Sequence, residues 1–374
     1  MNILGISAFY SNANACLVKD GQVAVSAKEE TFSGIPYDTS FPVNAIEYCL
    51  AMANIPASGL DAIVFFEKPF LKLEKQLETY YAYAPKGVYS FATTMPVRVR
   101  EKLFTKAFIK KQLKKSGDID LDKTPILFSE CNLSLAAATF YPAPIEEAAI
   151  LIIDGQGEWA TTSICHGHKN NIKIIKDLRY PNSLGILRAA FRYYLGLPSL
   201  SADKEFLALA SEGKSHSDQT ADFRKIIMTE MVHIADDGSL SLSRKFFRTV
   251  SGLSRINASA WKGVLGFERR RSGQDFKPHH YNLALALQGI WEEIIVKLAR
   301  ESSLLTGSVN LCLAGDLFTG DLDIEFLGKT EIFKNIYMPH GCTDDCAAIG
   351  AALAVNYIYF KQKKTILQNN LTMQ

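Results

Sequence analysis

Residues 148–167 read AAILIIDGQGEWATTSICHG, and this stretch decides the fold. An apolar run at 150–153 meets an acid and two glycines in the turn that begins with Asp154, and polar and apolar residues alternate after that turn. The pattern predicts a strand, a tight turn and a second strand. Gly155 and Gly157 permit positive φ and leave backbone N–H groups unobstructed, so the turn can bind an anion while Asp154 is held for a metal. An ordinary hairpin is the alternative for this stretch taken alone.

The N-terminus repeats this pattern. Its predicted strands are residues 3–8, 15–18 and 22–27, with a small polar turn at 10–14. The later copy also continues into a third strand, at 172–175. Two three-stranded meanders, each followed by helix-forming sequence, predict a duplicated α/β fold with a cleft between the halves.

This layout resembles the actin, sugar-kinase and heat-shock ATPase superfamily, in which the hairpin turns of both halves face a nucleotide. The resemblance implies a two-lobed fold with a first lobe at 1–145 and a second at 146–374. A basic helical insertion at about 67–120 is expected in the first lobe, and another insertion at about 215–280 in the second.

A buried strand at 309–314 ends in Gly315 and Asp316, and a small-residue helix follows at 346–357. In the superfamily this combination shapes the adenosine pocket, where small residues let the backbone approach a ligand closely. A helix is also predicted from His280 through Leu304.

Composition excludes several classes of protein. At 374 residues and 48% hydrophobic, the chain can bury one large core or two ordinary ones. A net charge of +2 indicates no nucleic-acid partner, and no apolar run is long enough to predict a membrane span. The apolar residues 3–9 lack the basic flank of a signal peptide, so they are predicted to be a strand. Seven scattered cysteines fit reduced thiols and a cytoplasmic location.

Two segments carry less defined patterns. Arg98 to Lys115 is predicted to be a helix with Leu103, Phe104, Ala107, Phe108 and Leu113 near one side and lysines around them. The basic face of this helix is either simply exposed to solvent or a docking surface for an acidic partner or an anionic lipid. Residues 201–213 are predicted to be a polar loop with a hydrophobic insert.

Nearly the whole chain resembles the O-carbamoyltransferases of the nodulation-protein and antibiotic-tailoring type. The similar stretches are AKEETFSGIPYDTSFP at 27–42, EKPFLKLEKQLETYYAYAPKG at 67–87, SLAAATFYPAPIEEAAILIIDGQGEWATT at 134–162 and NSLGILRAAFRYYLG at 182–196. The family joins this domain to a C-terminal YrdC-like domain that makes carbamoyl adenylate from carbamoyl phosphate and ATP. The first domain then passes the carbamoyl group to a hydroxyl. The resemblance covers the N-terminal domain only, which implies a donor made by a separate carbamoyl-adenylate-forming enzyme.

The chain departs from the family at its metal ligands. Cys131 and Leu135 stand where the family has iron-binding histidines, and Asp154 and Asp344 alone remain of the expected set. Two carboxylates favour Mg²⁺ or no metal, so iron is not expected. The mixed donors between His340 and Cys346 fit no standard metal site.

Other departures fall on the first hairpin and the nucleotide region. Tyr10 and Asn12 replace the histidine and aspartate of the first hairpin, while Ala208 and Asp316 replace glycines. Asp316 would set a negative charge against a phosphate or ribose unless it is paired or turned away.

The resemblance implies a set of site residues. The catalytic candidates are Asp154, Tyr10 and Asn12; the nucleotide-binding candidates are Gly155, Gly157, Gly315 and Asp316; the metal candidates are Asp154 and Asp344.

Three functions stay open. The first is transfer of a carbamoyl group from carbamoyl adenylate to a hydroxyl of a small-molecule or natural-product acceptor, with ATP or the adenylate and Mg²⁺ as cofactors. The backbone N–H groups of Gly155 and Gly157 would then stabilise developing charge. The second is a non-catalytic partner of an intact carbamoyltransferase paralogue. The third is a metabolite-binding module.

Overall fold

The computed structural model describes residues 1–9, 12–84, 88–115, 119–155, 157–197, 202–248, 256–318, 321–338 and 346–364. The strands in these ranges are β1 (Asn2–Ser7), β2 (Asn14–Lys19), β3 (Gln22–Lys28), β4 (Ala62–Phe65), β5 (Ile126–Phe128), β6 (Glu147–Ile153), β7 (Ala160–His168), β8 (Asn171–Arg179), β9 (Val232–Ile234), β10 (Leu240–Leu242), β11 (Asn310–Ala314) and β12 (Asn335–Tyr337).

The helices in the same ranges are α1 (Glu30–Ser33), α2 (Val43–Met52), α3 (Pro69–Tyr83), α4 (Val88–Leu103), α5 (Thr105–Leu113), α6 (Cys131–Phe140), α7 (Leu184–Tyr194), α8 (Ala202–Ser211), α9 (Asp218–Ile226), α10 (Ala258–Leu265), α11 (Pro278–Thr306), α12 (Asp321–Gly328) and α13 (Cys346–Ala354). A 3₁₀ turn forms at Ala57–Gly59, and π-helical turns continue α9 at Ile227–Met231 and α13 at Val355–Tyr359.

The two large sheets have the same topology. One has the strand order β3-β2-β1-β4-β5, and the other has the order β8-β7-β6-β11-β12. In each sheet the three-stranded meander is antiparallel, and the last two strands pair in parallel. Every strand of the first sheet therefore has a counterpart in the second, which confirms the predicted duplicated, two-lobed actin-like α/β fold.

Helices α6 and α13 pack against each other between the sheets, α6 on β6 and β11 and α13 on β1 and β2. The packing depends on glycine. A Cβ on Gly350 would lie 1.7 Å from the carbonyl oxygen of Ser134, and a Cβ on Gly5 would lie 2.0 Å from that of Ala348. Since side chains have no room at these crossings, both helices need the small residues seen in their sequences.

Strand β6 is buried on both faces. Ile150 and Ile152 join the core between the sheets, whereas Ala149, Leu151 and Ile153 join a second core under α7 and α11. A continuous apolar run is what such a doubly covered strand requires. The predicted long helix is confirmed as α11, and its side chains at 283, 287, 290, 294 and 298 are buried in the second core.

The polar loop predicted at 201–213 is wrong, because most of it forms α8. Phe206, Leu209 and Ala210 have helical spacing and are buried in the second core. Asp203 in the first turn pairs with Arg188 at 2.8 Å. An acid in that turn also favours a helix. The five apolar residues at 206–210 are consecutive, so this short run shows no helical period by itself.

The single amphipathic helix predicted over Arg98 to Lys115 is also wrong. The helix is interrupted at Phe104, between α4 and α5. Of the apolar residues predicted to share one side of it, Leu113 alone is buried. Ile109 is buried with it, while Phe104 is 60% exposed. Lys102 turns inward, where its Nζ lies 3.0 Å from Glu67 Oε1.

Within the described ranges, no helix is long and apolar enough to cross a membrane. The cysteines at 16, 49, 131, 165 and 312 are free and buried. Cys346 is disulfide-bonded, which departs from the expectation of reduced thiols throughout.

Candidate active site

The turn after β6 holds Asp154 at the end of a buried strand. Asp154 is 5% exposed, and its backbone N–H donates to the carbonyl of Thr161 at 3.0 Å. A Cβ on Gly157 would lie 2.3 Å from the carbonyl oxygen of Ala160, so glycine is needed at this point of the turn. The strand, turn and strand predicted here are confirmed by the pairing of β6 with β7, and the structure adds that Asp154 contacts Cys131 at the start of α6.

The backbone N–H of Gly155 is already bound. It donates to Asp316 Oδ1 at 2.9 Å. Gly315 makes this approach possible, because it has φ +116° and a Cβ there would lie 2.1 Å from the Ile153 carbonyl oxygen. The expectation that the Gly155 amide is free for developing charge is therefore wrong: a carboxylate from the end of β11 holds it.

Glu158 caps helix α6. Its carboxylate accepts hydrogen bonds from the backbone N–H of Cys131, at 2.9 Å and 3.1 Å for the two oxygens, and from that of Lys68 at 3.0 Å. Burial raises the pKa of Glu158, although these hydrogen bonds oppose the rise. The helix N-terminus thus has its acid supplied by the hairpin, which fixes the two elements together.

Cys131 and Leu135, which the resemblance places at two metal-ligand positions, lie about one turn apart on α6. The Cys131 thiol lies 3.7 Å from Asp154 Oδ2, and burial, followed by Asp154 and Glu158, raises its pKa well above the usual range. Leu135 is buried and offers no donor atom, so a metal ligand from this pair of positions would have to be Cys131 as a thiolate.

The part of the chain that the structure describes contains no group of three or more histidine, cysteine, aspartate or glutamate side chains able to hold a metal. Asp344 and the donors from His340 to Asp345 lie outside the described residues.

A second group of charges reaches this site from the segment after β4 and from α3 and α4. Buried Glu67 pairs with Lys72 and, at 3.0 Å, with Lys102. Burial by itself would raise the pKa of Glu67, but the two ammonium groups outweigh burial and lower it. Burial would likewise lower the pKa of Lys72, and Glu67 reverses this. Glu67 and Lys72 are therefore both charged at neutral pH.

Lys75 joins α3 to the hairpin. Its Nζ donates to the carbonyl oxygen of Gly157 at 2.6 Å. Burial, and then the charge of Lys72, lowers the pKa of Lys75 to about 8, against the opposing effect of Glu158 and Asp154. Lys75 therefore changes charge close to physiological pH while it is held beside the hairpin.

Sequence reasoning missed Glu67, Lys72, Lys75 and Glu158 as site residues. A signal was present in EKPFLKLEK at 67–75, where an acid follows a buried strand and two lysines three residues apart share a helix face. The two catalytic candidates of the first hairpin, Tyr10 and Asn12, are not seen to join this group of charges. Tyr10 lies outside the described residues, and the side-chain amide of Asn12 donates to Glu30 at 3.3 Å.

Comparison with known proteins adds to this geometry. Residues 2–353 match the family described as "Carbamoyltransferase N-terminus". The uncharacterized protein sll1178 of Synechocystis sp. is 36% identical over 366 residues, which cover 98% of this chain and 58% of that protein. The nodulation protein NolNO of Sinorhizobium fredii is 25% identical over 354 residues, 94% of this chain and 47% of that protein.

The chain thus spans about half the length of these two relatives. Among solved structures, the activator of 2-hydroxyisocaproyl-CoA dehydratase from Clostridium difficile with bound ADPNP aligns with a TM-score of 0.41 and 14% identity. That alignment covers 98% of each chain.

Proposed function

The chain belongs to the family of carbamoyltransferase N-terminal domains, and from this premise we propose that it transfers a carbamoyl group from carbamoyl adenylate to a hydroxyl of a small-molecule or natural-product acceptor. The donor would be made outside these residues, by a separate carbamoyl-adenylate-forming enzyme. The observation that supports this proposal is the group of charges around the second hairpin, where buried Asp154 and the tuned ammonium of Lys75 lie within one polar cluster.

In the proposed reaction the acceptor oxygen attacks the carbamoyl carbon. A new carbon–oxygen bond forms, the bond from that carbon to the phosphate oxygen breaks, and AMP leaves with the electron pair. Asp154 takes the proton of the acceptor hydroxyl as general base. The Lys75 ammonium stabilises the negative charge that develops on the leaving phosphate.

The proposal includes Mg²⁺ only as an ion that two carboxylates of the chain would bind. Asp154 and Asp344 would supply carboxylate oxygens, the donors that Mg²⁺ prefers, and the ion would neutralise phosphate charge. No step above depends on it, since Asp344 lies outside the described residues.

The test is a reconstituted transfer assay. The chain is mixed with carbamoyl phosphate, ATP, a separate donor-making enzyme and candidate hydroxyl acceptors, and the product is measured by mass spectrometry together with AMP release. Product that needs both proteins supports the proposal. Absence of product from every acceptor, with the donor shown to accumulate, contradicts it.

A second function is favoured by the hydrogen bond from the backbone N–H of Gly155 to the carboxylate of Asp316. A turn whose amide is bound to the protein's own carboxylate has lost a donor for an anionic ligand. The chain would then act as a non-catalytic partner that raises the activity of an intact carbamoyltransferase. Co-purification with such a paralogue and stimulation of its turnover would support this alternative.

A further inference from the structure

Helix α5 is fixed to the first sheet along one of its sides. Ile109 and Leu113 are buried in the core between the sheets, and the Phe108 ring contacts the Phe9 ring at a centroid distance of 5.6 Å. Phe9 in turn contacts Phe65, which is buried in β4. Because these contacts hold one side of the helix, its other side faces solvent in a defined orientation.

The outer side of α5 and the end of α4 expose large apolar side chains. The exposed fractions are 48% for Leu103, 60% for Phe104 and 42% for Phe108. The backbone N–H of Phe108 donates to the carbonyl of Phe104 at 2.8 Å, so these two side chains are neighbours on successive turns of one face. We call these three residues the apolar tip. Adjacent exposed apolar side chains of this size mark an interaction surface.

Cationic side chains surround the apolar tip. Residues 98–115 contain eight lysines and arginines and a single acid, Glu101, in a chain whose net charge is +2, so the rest of the chain is net negative. Lys102 pairs with Glu67, whereas none of the other seven cations forms an ion pair within the described ranges. The positive charge of the protein is thus concentrated where α4 meets α5, and no described acidic side chain neutralises it.

This combination favours an anionic bilayer over a protein as the partner. Lysine is depleted at protein–protein interfaces, and a protein would need a surface shaped to receive the apolar tip. A bilayer needs no such shape, because its phosphates attract lysine and arginine while phenylalanine and leucine enter the boundary between headgroups and acyl chains. The charge of the segment and its exposed apolar side chains both match that surface.

We propose that residues 98–115 dock the protein on an anionic membrane surface, with the apolar tip at the acyl boundary and the seven unpaired cations among the lipid phosphates. The attachment is peripheral and reversible, since one apolar tip and a basic patch form a weak anchor. It uses none of the residues assigned to chemistry, so it stands or falls independently of the proposed transfer reaction.

The electrostatic part is tested by sedimentation of the full chain with vesicles. Vesicles containing about one third phosphatidylglycerol should bind the protein at least about tenfold more tightly than pure phosphatidylcholine vesicles, and added salt should weaken that binding. Lys111 and Lys114 follow Phe108 at steps of three residues, and Lys111→Glu with Lys114→Glu should weaken binding about twentyfold or more. The matched control reverses two exposed lysines of α8 and α9, Lys204→Glu with Lys225→Glu, and should retain most of the binding.

The insertion of the apolar tip needs its own variant. Phe104→Ser should weaken binding to the charged vesicles by about threefold to tenfold, because a largely exposed ring loses its apolar surroundings in the bilayer. Leu304→Ser removes an apolar side chain that is 80% exposed on α11, and it should have no effect. The fluorescence of Phe104→Trp, after subtraction of the wild-type signal, should be quenched by brominated acyl chains. All of these positions are exposed, so circular dichroism should show an unchanged fold.

Several outcomes overturn the proposal. Equal binding to charged and neutral vesicles, or unchanged binding by the lysine variant, removes the electrostatic basis. Equal binding by Phe104→Ser and Leu304→Ser shows attraction to any polyanion without insertion. If the wild type binds no vesicle while the lysine variant weakens a complex with an intact carbamoyltransferase, the surface docks a protein and not a membrane.

Discussion

The backbone N–H of Gly155 donates to Asp316 Oδ1 at 2.9 Å, so a turn suited to binding an anion holds a carboxylate instead. We expect this carboxylate to compete with the phosphate of AMP or ATP, since both carry negative charge and both need the same donor. Asp316→Gly should raise the affinity for AMP by about tenfold in a calorimetric titration. Asp236→Gly, at an exposed position elsewhere, is the control. Unchanged affinity in Asp316→Gly would show that the carboxylate does not exclude nucleotide.

Lys75 should set the alkaline limb of the transfer rate. Its pKa is lowered to about 8, so its ammonium, which stabilises the leaving phosphate, is lost as pH rises through that value. Lys75→Met should reduce the rate by about a hundredfold at neutral pH. Lys75→Arg should keep much of the rate and extend it to higher pH, because a guanidinium stays protonated. A wild-type rate that instead rises through about pH 8 would assign Lys75 the opposite role, that of a base.

Glu67 should be a determinant of stability. Glu67→Gln would leave two largely buried ammonium groups without their carboxylate, and we expect a loss of about 3–5 kcal/mol in the free energy of unfolding by urea. Because the pKa of Glu67 is lowered from 4.5, its contribution is complete above that pH and is lost as pH falls through the lower folded-state value. The free energy of unfolding of the variant should therefore fall less steeply than that of the wild type as pH is lowered. Glu325→Gln, at an exposed pair with Lys329, should change little.

Two glycines give a matched test of the crossing between α6 and α13. Gly350→Ala would place its Cβ 1.7 Å from a backbone oxygen, so the helices must separate, and we expect a loss of about 1–3 kcal/mol or more. Gly263 lies in α10 with nothing within 4 Å of an added Cβ. Gly263→Ala should therefore stabilise the protein by about 0.5–1 kcal/mol through helix propensity. Thermal unfolding followed by circular dichroism measures both, and equal effects would argue against close backbone approach as the reason for glycine at position 350.

The fold was predictable because its signals are local and repeated. Each meander is indicated by alternating residues and turn glycines, and the small residues of α13 indicate a close helix crossing. Of the candidate site, only the position of Asp154 in a turn at the end of a strand could be predicted, because a local sequence motif indicates it. The contact of Gly155 with Asp316 joins residues 161 positions apart, and that of Lys75 with Gly157 joins residues 82 apart. Such pairings follow from how the sheets and the insertion pack, and no sequence period encodes them.

Asp154→Asn separates the two candidate functions. If the chain is a transferase, the amide cannot accept the proton of the acceptor hydroxyl, and the rate in the reconstituted assay should fall by about a hundredfold. The fold should persist, since Asn is close in size and the backbone N–H bond to Thr161 remains. If the chain is instead a non-catalytic partner, the variant should stimulate an intact carbamoyltransferase as well as the wild type does.

In that case Lys110 and Lys111 on α5 belong to the docking face proposed for the segment from Arg98 to Lys115. Reversing their charge should weaken the complex with the intact carbamoyltransferase, most clearly at low salt. A chain that makes product from carbamoyl phosphate and ATP without any second protein would refute both functions, since neither assigns donor synthesis to its residues.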